Sequence, residues 1–127
     1  MVVFASEQWA ENPIDPLAEA FGASGGSVRI GRSITGGPDG EVRWTAVVAN
    51  GSVTYLGGVH DDVDVTFTDK AKVATSILQG EFSPNTGFMR GQTKVSGPTS
   101  TLLAVLAAGS GDAYEAARKR ALDQAGL

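Results

Sequence analysis

From residue 28 onward, apolar and polar positions alternate with a period of two over about 28–35, 41–50 and 52–60, parted by Gly36-Gly37-Pro38-Asp39-Gly40 and by Asn50-Gly51. Successive side chains of a strand point to opposite faces, so this period predicts three strands, each with one buried face. Asn-Gly suits a type I′ turn, whose central residues both need positive φ, and the second and third strands are therefore predicted to pair as a hairpin. Val42, Trp44, Ala46 and Val48 share one face of the second strand, and Val53, Tyr55, Gly57 and Val59 one face of the third. A fourth strand, about 63–68, turns Val63, Val65 and Phe67 inward, and residues 91–97 alternate as a fifth.

Between these runs the period lengthens to that of a helix. Residues 5–24 read as helical in two pieces broken by Pro13, with Asp15 as N-cap and Pro16 in the first turn of the second piece. Trp9, Leu17, Ala20 and Phe21 make its inward stripe. Asp69 stands as the N-cap of a helix over 70–79 whose Val73, Ala74, Ile77 and Leu78 form an apolar face ended by Gly80. Residues 80–90 read as a loop. Thr99–Ala108 reads as an unusually apolar helix, and Asp112 with Glu115 caps a last one running to about 124. Strands in a meander with helices before and after give an α+β fold, a five-stranded mainly antiparallel sheet covered by helices. With 127 residues the chain is expected to be a single domain over 1–127, since two cores would each be hard to stabilise. The pattern leaves open whether the interface of sheet and helices is solid or hollow, because the same residues line either.

A hydrophobic fraction of 42% with 19% charged residues lies within the range of chains that fold. The net charge of −4 argues against nucleic acid as a partner, because phosphate recognition draws on clustered Lys and Arg. The densest basic cluster, Arg118-Lys119-Arg120, reads as the last turns of a helix complementing its dipole. Without cysteine the chain forms no disulfide, thiolate metal site or cysteine nucleophile. No apolar run approaches the roughly 20 residues of a membrane span, and the N-terminus lacks the pattern of a secretory signal. An intracellular, cytoplasmic location is the expectation, and the final Leu127 alone matches the Ser-Lys-Leu peroxisomal address. No motif for a cofactor or metal is present.

Residues 80–97 read Gly80-Glu81-Phe82-Ser83-Pro84-Asn85-Thr86-Gly87-Phe88-Met89-Arg90-Gly91-Gln92-Thr93-Lys94-Val95-Ser96-Gly97. Gly80, Phe82, Pro84, Gly87-Phe88, Gly91, Lys94 and Gly97 fall in the order and spacing of the sterol carrier protein lipid-transfer family, which this stretch resembles. The preceding Asp64-Val65-Thr66-Phe67-Thr68-Asp69 also fits, whereas Pro98 departs from the acidic or amide residue of many relatives. The resemblance implies non-catalytic binding and transfer of a sterol, fatty acyl chain or other lipid in a cavity between sheet and helices, with no cofactor and at most transient contact with a membrane. It places the lining on Trp44 and Tyr55 of the sheet, Val73, Ile77 and Leu78 of the covering helix, Phe82, Phe88 and Met89 of the loop, and Leu102, Leu103 and Leu106 of the apolar helix.

Two other readings compete. His60 followed by Asp61-Asp62 offers the elements of a general base, yet these residues fall in a polar turn between strands, and no nucleophile elbow, dinucleotide fingerprint or phosphate loop accompanies them. Alternatively, the stripe of Leu102, Leu103 and Leu106 serves a protein interface or a dimer as readily as a pocket. The oligomeric state is left open.

Overall fold

The computed structural model describes residues 3–59 and 61–125. Two short helices come first: α1 (Glu7–Glu11), opened by the Ser6 hydroxyl accepting from the Trp9 N–H, and α2 (Pro16–Ala23), opened by the Asp15 carboxylate accepting from the Ala18 N–H. Strands β1 (Val28–Gly37), β2 (Gly40–Ala49), β3 (Ser52–Gly57) and β4 (Val65–Lys70) follow, then α3 (Ala71–Leu78), α4 (Pro84–Met89), β5 (Lys94–Ser96), α5 (Thr99–Ala107) and α6 (Asp112–Ala125).

The five strands form one sheet in the order β3-β2-β1-β4-β5. All neighbours are antiparallel except β1 and β4, which run parallel because the chain crosses back after β3 to lay β4 beside β1. The hairpin turn is of the expected kind, with φ of 54° at Asn50 and 77° at Gly51 and Ala49 opposite Ser52.

Helices α1, α2 and α3 lie on one face of the sheet, α6 packs on α2 and α3, and α5 contacts α2 and α4. Leu102, Val105 and Leu106 of α5 join Leu17, Ile30, Ala46, Val65 and Phe67 in one core cluster, while Trp9, Ile34, Val42, Trp44 and Ala74 form a second and Leu78, Ala121 and Ala125 a third. On the opposite face Thr45 is buried and its hydroxyl donates to the Gly58 carbonyl at 2.7 Å. No helix of the described residues is long and apolar enough to cross a membrane.

Several boundaries differ from the sequence expectation, each for a physical reason. Asp69 does not cap α3. It continues the inward series Val65, Phe67 on β4, its carboxylate accepts from Arg32, and Lys70 takes the N-cap position with no side-chain bond. The stretch 80–90 contains α4, opened by Ser83 accepting from the Thr86 N–H with Pro84 in its first turn. The third strand ends at Gly57, and the fifth is confined to Lys94–Ser96. Helix α6 runs past the basic triplet to Ala125, so Arg118 serves the end of another helix: its Nη1 donates to the carbonyl of Leu78, the last residue of α3, at 2.9 Å.

Gly97, where β5 leaves the sheet, has φ of 132°, and a Cβ there would sit 2.7 Å from the Asp64 carbonyl oxygen and 2.9 Å from Val65 Cγ1. Replacing Gly97 with alanine is therefore expected to cost about 1–3 kcal/mol. Urea unfolding checks this, and an unchanged midpoint would show that the backbone at 97 does not press on β4.

Candidate ligand cavity

The register of the sheet sets the chemistry of its inner face. Arg32 of β1 lies opposite Trp44 of β2 and Phe67 of β4, and the neighbouring inward row holds Val42, Ile34 and Asp69. The guanidinium carbon of Arg32 stands 5.6 Å from the centre of each flanking ring, Trp44 and Phe67. Its Nη2 is 3.4 Å from Asp69 Oδ2 and its Nε 3.6 Å from Asp15 Oδ2, and both aspartate side chains are only 2% exposed. Burial disfavours the Arg32 charge, but the fields of Asp15 and Asp69 outweigh that and raise its pKa above the ordinary guanidinium value.

Between this row and the helices lies a cavity of about 50 Å³. The sheet contributes Arg32, Ile34, Trp44 and Asp69; α3 contributes Ala74, Ile77 and Leu78; α1, α2 and their connection contribute Trp9, Ile14, Asp15, Pro16 and Leu17; Phe4, Pro84 and Tyr114 complete the wall. Residues of all three core clusters meet there. The wall is apolar except where Asp15, Arg32, Asp69 and the Tyr114 phenol interrupt it, and there it is short of hydrogen bonds. Asp15 Oδ2, Asp69 Oδ1, Arg32 Nε, Trp9 Nε1 and Trp44 Nε1 are buried without a hydrogen-bond partner among the described residues. A buried polar atom left in that state costs about 1–3 kcal/mol.

A relay ties the cluster to the surface. The backbone N–H of Asp15 donates to the Tyr55 hydroxyl at 2.9 Å, that hydroxyl donates to Glu19 Oε2 at 2.9 Å, and Glu19 Oε1 pairs with Arg120 at 3.2 Å. Burial, followed by the Asp15 charge, drives the Tyr55 pKa far above its usual value, and burial likewise raises Tyr114. A phenol that ionises more readily unfolded than folded contributes stability that is complete below about pH 10 and is lost as the pH rises through that value towards the folded pKa. Above about pH 10 each tyrosine should therefore steepen alkaline destabilisation by about 1.4 kcal/mol per pH unit, and Tyr114→Phe should remove one such contribution in pH-dependent urea titrations. Equal slopes for the two proteins would contradict the burial of that hydroxyl.

Of the residues expected to line a pocket, Trp44, Ile77 and Leu78 face this cavity. Tyr55 stands beside it, joined through Asp15. Leu102 and Leu106 are buried in the first core cluster with Phe88 packed against it, Val73 is half-buried, and Phe82 lies under the Arg90 guanidinium at 5.4 Å. Met89 and Leu103 are 84% and 55% exposed, on the outside of the helical layer. His60 lies outside the described residues, while Asp62 pairs with Arg29 at 2.8 Å. The residues missed at the sequence level are Asp15, Arg32 and Asp69. Two of them carried a signal, because Arg32 falls in the inward series Val28, Ile30, Ile34 and Asp69 in the inward series Val65, Phe67.

A mixed five-stranded sheet roofed by helices, with a cavity at their junction, defines an α+β fold. The chain belongs to the SCP-2 sterol transfer family, whose profile matches residues 9–108. No curated protein matches it. Among solved structures, a conserved hypothetical protein of Thermus thermophilus shares the fold with a TM-score of 0.64 at 19% identity, over 93% of this chain and 90% of the other. The palmitated sterol carrier protein 2-like 2 of Aedes aegypti has a TM-score of 0.59 at 17% identity, over 80% and 92% of the two chains. The sec-alkylsulfatase Pisa1 of a Pseudomonas species scores 0.52 at 16% identity, with 78% of this chain covering 15% of the enzyme. The same fold thus occurs both alone and as one part of a larger enzyme.

Proposed function

We propose that the protein binds and transfers, without catalysis, a lipid or other apolar molecule held between the sheet and the helices. The observation that carries this reading is the cavity itself, sited where the three core clusters meet in a chain of the SCP-2 sterol transfer family. Its volume of about 50 Å³ is below the roughly 300–1,000 Å³ of common ligand sites, so uptake parts the helices from the sheet. The energetics allow it. Burial gains about 0.8 kcal/mol per methylene, so a palmitoyl-length chain gains on the order of 12 kcal/mol against about 4–15 kcal/mol for association. The exposed Met89 and Leu103 suit transient contact with a membrane surface during loading or release.

Mass spectrometry of an organic extract of the purified protein tests the reading. An equimolar lipid, or saturable uptake of an added one, is the expected result. Neither lipid nor uptake, together with a mass that grows with concentration, would favour an interaction module instead.

A further inference from the structure

The polar interruption of the cavity wall has no part in holding a greasy chain, and the core is no better for it. We infer that Asp15, Arg32 and Asp69 receive the polar end of the guest, and that this end is a hydrogen-bond donor without negative charge, a hydroxyl or an ammonium group, not a carboxylate. The inference rests on the carrier reading and narrows its ligand class.

Three observations carry it. The formal charges of the lining are one positive, from Arg32, and two negative, from Asp15 and Asp69, which leaves one net negative charge in the wall. The ion pairs at 3.4 and 3.6 Å are longer than the roughly 2.7–2.9 Å of a closed charge-assisted bond, so the carboxylates do not close on the guanidinium. Among the described residues Asp69 Oδ1 is buried without a donor, Asp15 Oδ2 has only the Arg32 Nε at 3.6 Å, and the indole N–H groups of Trp9 and Trp44 lack an acceptor. A hydroxyl answers both needs, giving its proton to an aspartate and its oxygen to an indole. An ammonium donates to both aspartates and cancels the excess charge. A carboxylate adds a second uncompensated negative charge and brings no donor.

The test compares dodecanol, dodecylamine and dodecanoate as competitors for one fluorescent lipid at neutral pH, using the wild-type protein, Asp69→Asn and Asp15→Asn. Asparagine keeps the capping capacity that Asp15 supplies to α2. The alcohol and the amine are expected to bind about tenfold or more tighter than the carboxylate, and either folded variant to narrow that ratio. Dodecanoate binding as tightly as the alcohol and amine in the wild type, or an unchanged ratio in the folded variants, overturns the assignment. Should neither variant fold, the wild-type ranking alone decides. If none of the three competes and the fluorescent lipid itself does not bind, the carrier reading fails and takes this inference with it.

Discussion

Replacing Arg32 with methionine is expected to cost about 3–5 kcal/mol, because it leaves two carboxylates buried without their cation. Asp15 and Asp69 are each only 2% exposed, and the guanidinium is their shared counter-charge. Methionine fills much of the arginine volume between Trp44 and Phe67, so the loss is electrostatic more than steric. A triple variant, Arg32→Met with Asp69→Leu and Asp15→Ser, should recover most of that loss, since apolar groups of similar volume replace buried ion pairs at little cost and serine retains the N-cap of α2. Urea denaturation of the single and triple variants checks both statements. A cost under about 1 kcal/mol for Arg32→Met would mean that the cluster is hydrated or neutral in solution.

The second large effect concerns uptake. Ile77 is half-buried on α3 and faces the cavity, so Ile77→Asp should leave the fold standing while setting a carboxylate in the ligand's path. About 3 kcal/mol of desolvation, or about a hundredfold in Kd for a fluorescent lipid, is the expected loss. Leu106 supplies the contrast. It is 1% exposed in a cluster with Ile30, Val65 and Phe67, and Leu106→Asp should unfold the protein instead of emptying it. Circular dichroism beside each binding curve separates the two outcomes, and normal uptake by a folded Ile77→Asp would move the ligand away from α3.

Most of the sheet was legible because period two and turn chemistry are local. Asn50-Gly51 specifies its turn by needing positive φ twice, and the faces of the second strand follow from alternation alone. The parallel pairing of β1 with β4 was not legible, because the order of strands is decided by tertiary packing of segments far apart in the chain, such as those of Thr35 and Lys70. Helix α4 escaped notice although Ser83-Pro84 is an N-cap followed by a first-turn proline, since Gly80, Gly87 and Gly91 within twelve residues read as loop. The site was legible only in part. Apolar residues at inward positions serve core and cavity alike, so sequence could not separate Leu102 and Leu106, which fill the core, from Ile77 and Leu78, which face the space. The more informative residues were the charged ones in inward registers. Arg32 among Val28, Ile30 and Ile34 breaks the pattern of a buried strand, and such a break marks where a core does something besides pack.

The two tryptophans of the chain, Trp9 and Trp44, both line the cavity, so tryptophan fluorescence reports on that space. Titration with a dodecanol brominated along its chain is the most direct measurement. Saturable quenching that reaches its plateau at one equivalent, and is lost in Ile77→Asp, is the result expected of a guest held between sheet and helices. Undiminished fluorescence at saturating lipid, while a fluorescent lipid still binds, would place the guest elsewhere on the molecule.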